Sequence, residues 1–151
     1  MEPAGEAPLR DALVIRVFDA WAHEQDVRRA LGRPGGRNGV GESAVLDRCA
    51  STRAYVVGKR VAPPDGTSVR FEVTGVLGRH VPVRVEGGRA AVSTGPGPAE
   101  PTTTLTMDQE TFWRLSFGRV GAALVLASGE VQVGGDVALG HRVLDSMAFT
   151  G

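Results

Sequence analysis

The spacing of apolar residues changes along this chain: helical in the first third, alternating in the middle, mixed at the end. Leu13, Val14, Ile15, Val17, Phe18, Ala20, Trp21 and Ala22 follow one another almost without interruption. This predicts a helix over about Pro8–Leu31 that is apolar on nearly every side up to residue 22. From His23 onward, Glu24, Gln25, Arg28 and Arg29 occupy the directions that Val14, Phe18 and Trp21 held before, so the first half of the helix needs a packing partner that the second half does not. Gly32-Arg-Pro-Gly-Gly36 ends it. A second helix is predicted over Val40–Lys59, with Val45, Cys49, Ala50, Tyr55 and Val56 among charged positions, until Pro63-Pro64-Asp65-Gly66 breaks it.

Past that break Val and Phe alternate with polar residues, the period of a half-buried strand. Strands are expected at Ser68–Thr74, Val81–Glu86 and Arg89–Ser93, the last two joined by the Gly87-Gly88 turn. The Gly/Pro-rich stretch Thr94–Pro101 reads as a loop and the β-branched Thr102–Thr106 as a fourth strand. Asp108 is placed to cap a helix running to Leu115, with Gln109 and Glu110 in its first turn and Phe112, Trp113 and Leu115 to bury. A short helix over 120–127, a strand over 130–133 and a helix over 137–147 complete the chain. Strands and helices are thus segregated, which predicts an α+β fold. Its mainly antiparallel sheet of about five strands is covered by helices and preceded by a two-helix N-terminal segment. Residues 1–62 and 68–151 are the expected domains, and no internal repeat is visible.

Composition narrows the function. Seventeen basic and seventeen acidic side chains cancel without runs of like charge, so no nucleic-acid surface is advertised. No apolar run approaches the roughly 20 residues that cross a bilayer, and residues 1–15 lack the pattern of a signal peptide, which places the chain in the cytoplasm by expectation. The lone Cys49 has no disulfide partner in the chain and reads as a structural thiol. Sixteen Arg against one Lys (Lys59), with one Ile, one Asn and one Tyr, point to a GC-rich genome such as that of many actinobacteria.

Three patterns invite chemistry. Gly36-Arg-Asn-Gly-Val-Gly-Glu-Ser43 has phosphate-loop spacing, but Glu42 stands where that motif needs Lys and would repel phosphate. Gly134-Gly135-Asp136 serves a turn and a helix cap. Arg16, Asp19, His23 and Asp26 lie three and four apart, on one side of the first helix, where Asp19 and His23 could offer a carboxylate and an imidazole to a divalent metal. Two ligands are too few for a site, and such stripes are more often solvated surface.

The run Arg16-x-x-Asp19-x-x-x-His23-x-x-Asp26, with the following Leu31-Gly-Arg-Pro-Gly, resembles the last metal-binding helix of the mycothiol-dependent maleylpyruvate isomerase family. Thr111-Phe-Trp-Arg-Leu115, Gly118-Arg119, Val131-x-Val-x-Gly-Asp136 and Leu139-Gly-x-Arg142-Val-Leu144 resemble that family's sterol-carrier-like C-terminal domain. The resemblance implies a divalent metal, with zinc the expected ion, bound by Asp19, His23 and an upstream His. It also implies mycothiol as cofactor, cis-trans isomerase or thiol-transferase chemistry, and an arginine that holds a substrate carboxylate. Arg119 is the first candidate for that arginine and Arg142 the second, although either could form an ordinary surface ion pair. Asp19 stands where the family pattern has Glu, and the chain begins about where the bundle's last helix should begin. The metal site is therefore expected to be incomplete in this chain, which would be inactive alone.

The alternative from another class is a stand-alone sterol-carrier-like module holding an apolar small molecule or lipid, with Phe71, Phe112, Trp113, Phe117 and Leu124 lining the pocket; as plain packing, the same residues would be core. A third reading is a structural or regulatory fragment without a ligand. All three share one expectation: Val14, Phe18 and Trp21 leave an apolar surface, so helix 12–31 should join a second copy or a missing N-terminal helical half.

Overall fold

A computed structural model describes the backbone of residues 6–149, and the side chains of that span except at 6–8, 10, 11 and 14. Val14, part of the apolar face expected on the first helix, therefore lies outside the described side chains. The elements are α1 (Glu6–Leu31), α2 (Val40–Ser51), α3 (Arg53–Tyr55), a π-helical turn (Val56–Val61), β1 (Ser68–Thr74), β2 (Arg79–Glu86), β3 (Arg89–Val92), β4 (Thr103–Asp108), α4 (Gln109–Ser116), α5 (Ala122–Ala127), β5 (Val131–Gly135) and α6 (Val137–Asp145). Two compact units divide within α2, Met1–Arg48 and Cys49–Gly151, whereas the sequence punctuation puts the boundary at residues 63–66.

In the first unit α1 ends as its glycine predicts. Gly32 takes φ 63°, and the Arg33 N–H donates to Arg28 O at 2.8 Å, so a left-handed residue ties off the last carbonyls. The loop then returns along the helix: Trp21 Nε1 donates to Gly36 O at 2.9 Å and Gln25 Nε2 to Gly35 O at 3.0 Å. A Cβ on Gly41 would stand 2.9 Å from Trp21 Cδ1, so only glycine fits there. Glu42 is fully buried. It pairs with Arg37 Nη2 at 2.7 Å and accepts from the Asn38 N–H at 2.7 Å. The segment with phosphate-loop spacing is thus organised around its own carboxylate.

Phe18 and Trp21 are only 5% and 6% exposed, which corrects the expectation that they form a bare surface calling for association. The loop glycines explain Trp21, since they let the backbone close over the indole. What α1 does expose is Leu9, Leu13, Ile15, Val17, Val27 and Leu31.

The second unit is built on a five-stranded sheet in the order β3-β2-β1-β4-β5. All neighbouring pairs are antiparallel except the central β1–β4 pair, which is parallel with Phe71 opposite Leu105. Gly87 and Gly88 at φ 58° and 74° close the β2–β3 hairpin, the backbone that two residues need to reverse twisted strands. Alternate residues Val69, Phe71, Val73, Val81, Val83, Val85, Leu105 and Met107 are buried. The opposite set is polar: Arg70 pairs with Glu72 at 3.1 Å, and His80 stands 4.0 Å from the same carboxylate. Asp108 caps α4 by accepting from the Thr111 N–H at 2.7 Å, and Asp136 caps α6 by accepting from the Leu139 N–H at 3.0 Å. At Gly140 a Cβ would lie 2.4 Å from Val133 Cγ1, which lets α6 settle directly on β4 and β5.

The helix expected over Val40–Lys59 is interrupted. At Thr52 the hydroxyl bonds Cys49 O at 2.8 Å, and the chain then widens into the π turn, ending at left-handed Ala62 (φ 48°). Hydroxyl back-bonding and a π turn are local changes of hydrogen-bond partner inside an otherwise helical stretch, which the order of apolar residues does not announce.

Candidate functional site

The buried face of the sheet meets α4 through aromatic rings. Phe71 and Phe112 pack edge to face with centroids 6.1 Å apart. Trp113 meets Phe117 at 5.9 Å, and Phe117 meets Phe149 at 6.2 Å. Four of the five residues proposed for a pocket are thus closely packed core, as their plain packing reading has it. The fifth, Leu124, is exposed on α5, because α5 buries Ala122 and Val125 instead.

Among these rings lies a cation. Arg53 is fully buried, with its guanidinium carbon 5.6 Å from the Phe112 centroid, 5.7 Å from that of Phe149 and 6.0 Å from that of Phe71. Nε donates to Cys49 O at 2.9 Å, and Nη2 donates to Thr52 Oγ1 at 3.0 Å and to Met147 O at 3.1 Å. Nη1 is buried without a hydrogen-bond partner. Burial lowers the guanidinium pKa to about 10, partly countered by the neighbouring Cys49, so Arg53 is still charged at neutral pH. Burial also pushes the Cys49 thiol up to about 11, against the opposing pull of Arg53; the thiol is inert at neutral pH. Arg53 was not singled out in the sequence, although it falls in the stripe Val45, Cys49, Val56 at helical spacing, where an arginine is out of pattern.

A cleft of about 410 Å³ opens where the α4–α5 turn faces the end of α6. Leu115, Val120, Ala122, Leu144 and Ala148 supply its apolar lining, and Arg119 and Asp145 its charges. Gly118 at φ 70° turns the chain out of α4, and the Arg119 N–H donates back to Arg114 O at 2.8 Å. That geometry lays the Arg119 guanidinium over the Phe117 ring at 5.6 Å, with Nη1 bonded to Phe117 O at 3.1 Å. Arg142 is committed elsewhere: Nη2 donates to Val61 O at 2.8 Å and ties α6 to the π turn. A second cleft of about 350 Å³ lies between that turn and the β2–β3 hairpin, with Tyr55, Lys59 and Arg89 in its wall.

Asp19 and His23 are both exposed on α1. Among the described residues no three His, Cys, Asp or Glu side chains come together as a metal site, so Asp19 and His23 as they stand do not make a complete set of ligands. No helix among the described residues is long and apolar enough to cross a membrane.

Residues 50–145 match the SCP-2 sterol transfer family. Among solved structures the chain is similar to Sterol Carrier Protein 2 Like 2 from Aedes aegypti, at 15% identity and TM-score 0.50 over 70% of this chain and 97% of that one. It is similar to sterol carrier protein-2 of Aedes aegypti in complex with the C16 fatty acid palmitate, at 16% identity and TM-score 0.50 over 73% and 97%. It also matches the sec-alkyl sulfatase PisA1 at 11% identity and TM-score 0.52, over 73% of this chain but only 17% of the sulfatase. At these identities the likeness is one of fold. No curated protein sequence matches the chain.

Proposed function

Because the chain belongs to the SCP-2 sterol transfer family, we propose that its sheet unit is a non-enzymatic carrier module that takes up one apolar small molecule or lipid. The observation that carries this reading is the cleft lined by Leu115, Val120, Ala122 and Leu144, all within the stretch that matches the family. Its volume, about 410 Å³, falls within the range of small-molecule sites. The palmitate held by the mosquito sterol carrier protein-2 supports a ligand with a long apolar body.

The test is fluorescence titration of a Trp21→Phe variant, in which Trp113 is the remaining indole, with dehydroergosterol and with dodecanol. Saturable uptake of one molecule per chain is expected. Val120→Trp, which fills the cleft, should weaken uptake about tenfold without lowering the melting temperature. Non-saturable partitioning, or uptake indifferent to Val120→Trp, overturns the reading.

A second reading, the mycothiol-dependent isomerase, is favoured by one observation: Asp19 and His23 stand one helical turn apart on α1 with both side chains exposed. Among the described residues no third ligand joins them, and on this reading Arg119 would hold a substrate carboxylate at the cleft. Calorimetric titration of the chelator-treated protein with Zn²⁺ tests it. Binding lost in His23→Ala supports the metal site, and indifference to that change removes it. The exposed Leu9, Leu13, Ile15 and Val17 support association of α1 with a second copy, which sedimentation at two concentrations would reveal.

A further inference from the structure

The exposed side of α1 carries a pattern that its buried side does not. Phe18, Trp21, Ala22 and Gln25 are buried, and their spacing gathers them on one side of the helix axis. On the opposite side Leu9, Leu13, Val27 and Leu31 are each more than half exposed, with Arg16, Ala20 and Glu24 exposed between them. These positions recur every three or four residues, so they form one stripe along the helix. The stripe is a palindrome in its spacing. Leu9, Leu13 and Arg16 stand eleven, seven and four residues before Ala20, and Glu24, Val27 and Leu31 stand four, seven and eleven after it.

That symmetry fits an isologous contact, in which a residue of one copy meets a different residue of the other across a two-fold axis. With the axis at Ala20 and the two helices antiparallel, Leu9 comes level with Leu31 of the second copy, and Leu13 with Val27. The two charges on the stripe are opposite in sign and equally far from the axis, so Arg16 comes level with Glu24 of the second copy, twice in each pair. Parallel copies would instead set Arg16 against Arg16 and Glu24 against Glu24. Glu24 already holds Arg28 at 2.9 Å, and a carboxylate can accept from a second guanidinium beside the first. Ala20 at the axis has the small side chain that lets two helices approach closely.

We propose that α1 is an antiparallel self-association element: two copies of this chain pair along the stripe from Leu9 to Leu31, with Ala20 on the two-fold axis and Arg16 of each copy paired with Glu24 of the other. This rests on the association of α1 with a second copy given above, and it fixes the direction and register of that contact. The choice of occupant follows from the symmetry. A partner of unrelated sequence would call for no palindrome, and only a reversed copy of the same helix answers both the apolar positions and the signs of the two charges. Val17, exposed on the flank of the stripe, widens the apolar area that the second copy would cover.

The experiment is sedimentation equilibrium of the full chain at low salt, with variants confined to the exposed side of α1. The native protein should form a dimer, and Leu13→Glu should abolish it while leaving the circular dichroism unchanged. Arg16→Glu should weaken the dimer about tenfold, because two attractions become two repulsions; adding Glu24→Arg to it should restore most of that loss. Direction is read separately, from disulfide formation on oxidation, with Cys49 buried and out of reach. Copies carrying Leu9→Cys should link to copies carrying Leu31→Cys, whereas Leu31→Cys alone should not link to itself. A dimer lost in Leu13→Glu but indifferent to Arg16→Glu, a double variant as weak as Arg16→Glu alone, self-linking of Leu31→Cys, or failure of the mixed copies to link would each overturn the antiparallel register while leaving association of α1 intact. A monomer at every concentration, or a dimer indifferent to Leu13→Glu, removes the association and the register with it.

Discussion

The two units of this chain are held together by different means. In Met1–Arg48 the α1–loop association rests on polar side chains reaching backbone, Trp21 to Gly36 and Gln25 to Gly35, and on the Glu42–Arg37 pair, while several large apolar residues of α1 stay exposed. In Cys49–Gly151 a five-stranded sheet and its helices bury a continuous apolar face, and the anomaly lies inside, at Arg53. The comparison teaches where each unit's unfinished business lies. The helical unit has apolar surface to spare outward, and the sheet unit has charge to spare inward.

Substitutions in the two units should differ in cost. The largest effect should come from Phe112→Ala, which removes a ring shared by Phe71 and Arg53; urea unfolding should show a loss of about 3–5 kcal/mol, the usual cost of deleting a core aromatic. An effect nearer that of a surface change would mean that the sheet unit is not core-dependent. Next, alkaline pH should weaken the sheet unit through Cys49. Burial pushes its thiol up to about 11, above the 9.0 of a solvated cysteine, so the unfolded chain releases its proton first. Stability is then fully present below pH 9 and falls as pH rises toward 11, by up to about 2–3 kcal/mol. Cys49→Ala should flatten that slope, and a slope unchanged in the variant would assign it to other groups.

Gly140→Ala should cost about 1–3 kcal/mol, because the added methyl meets Val133 and the packed face must shift to admit it. In the helical unit the corresponding change is smaller. Trp21→Phe keeps most of the ring and loses the bond to Gly36 O, so about 1 kcal/mol is expected in thermal unfolding. Arg28→Ala removes an exposed pair with Glu24 at 2.9 Å and should move stability by no more than about 0.5 kcal/mol. A helical-unit variant that costs as much as Phe112→Ala would erase the distinction between the two units.

Much of the sheet unit was legible from residue order, because its signals are local. Val69, Phe71 and Val73 alternate, Gly87-Gly88 can hardly serve except as a hairpin turn, and Asp108 and Asp136 sit where helix N-termini need an acceptor. The burial of Trp21 was not legible, since it depends on a loop closing back over fifteen residues, a distance that periodicity does not sense. Nor was Arg53: its burial depends on rings brought from β1, α4 and the C-terminal segment. The parallel β1–β4 pair escaped as well, because alternation fixes which face a residue takes but not the direction of the neighbouring strand. Arg119 was singled out through the glycine before it and stands in the wall of the cleft, whereas Asp19 and His23, singled out through helical spacing, stand exposed on α1. The apolar lining was not legible, since the residues offered for a pocket, Phe71, Phe112, Trp113, Phe117 and Leu124, are not those that line the cleft.

The parallel pairing at the centre of the sheet also bears on the order in which the fold can assemble. β1, β2 and β3 join through short hairpin connections, whereas β4 reaches β1 only after the chain from Ser93 to Thr102 has closed, and the bond of the Ser68 N–H to Thr102 Oγ1 spans 34 positions. Closing that distance costs entropy before any contact repays it. The β1–β3 meander should therefore form first, with β4, β5 and α6 docking later. Phe71 would wait on a half-built sheet until Phe112 arrives to cover it, and during that interval the exposed edge of β1 is where a second unfolded chain would most readily add.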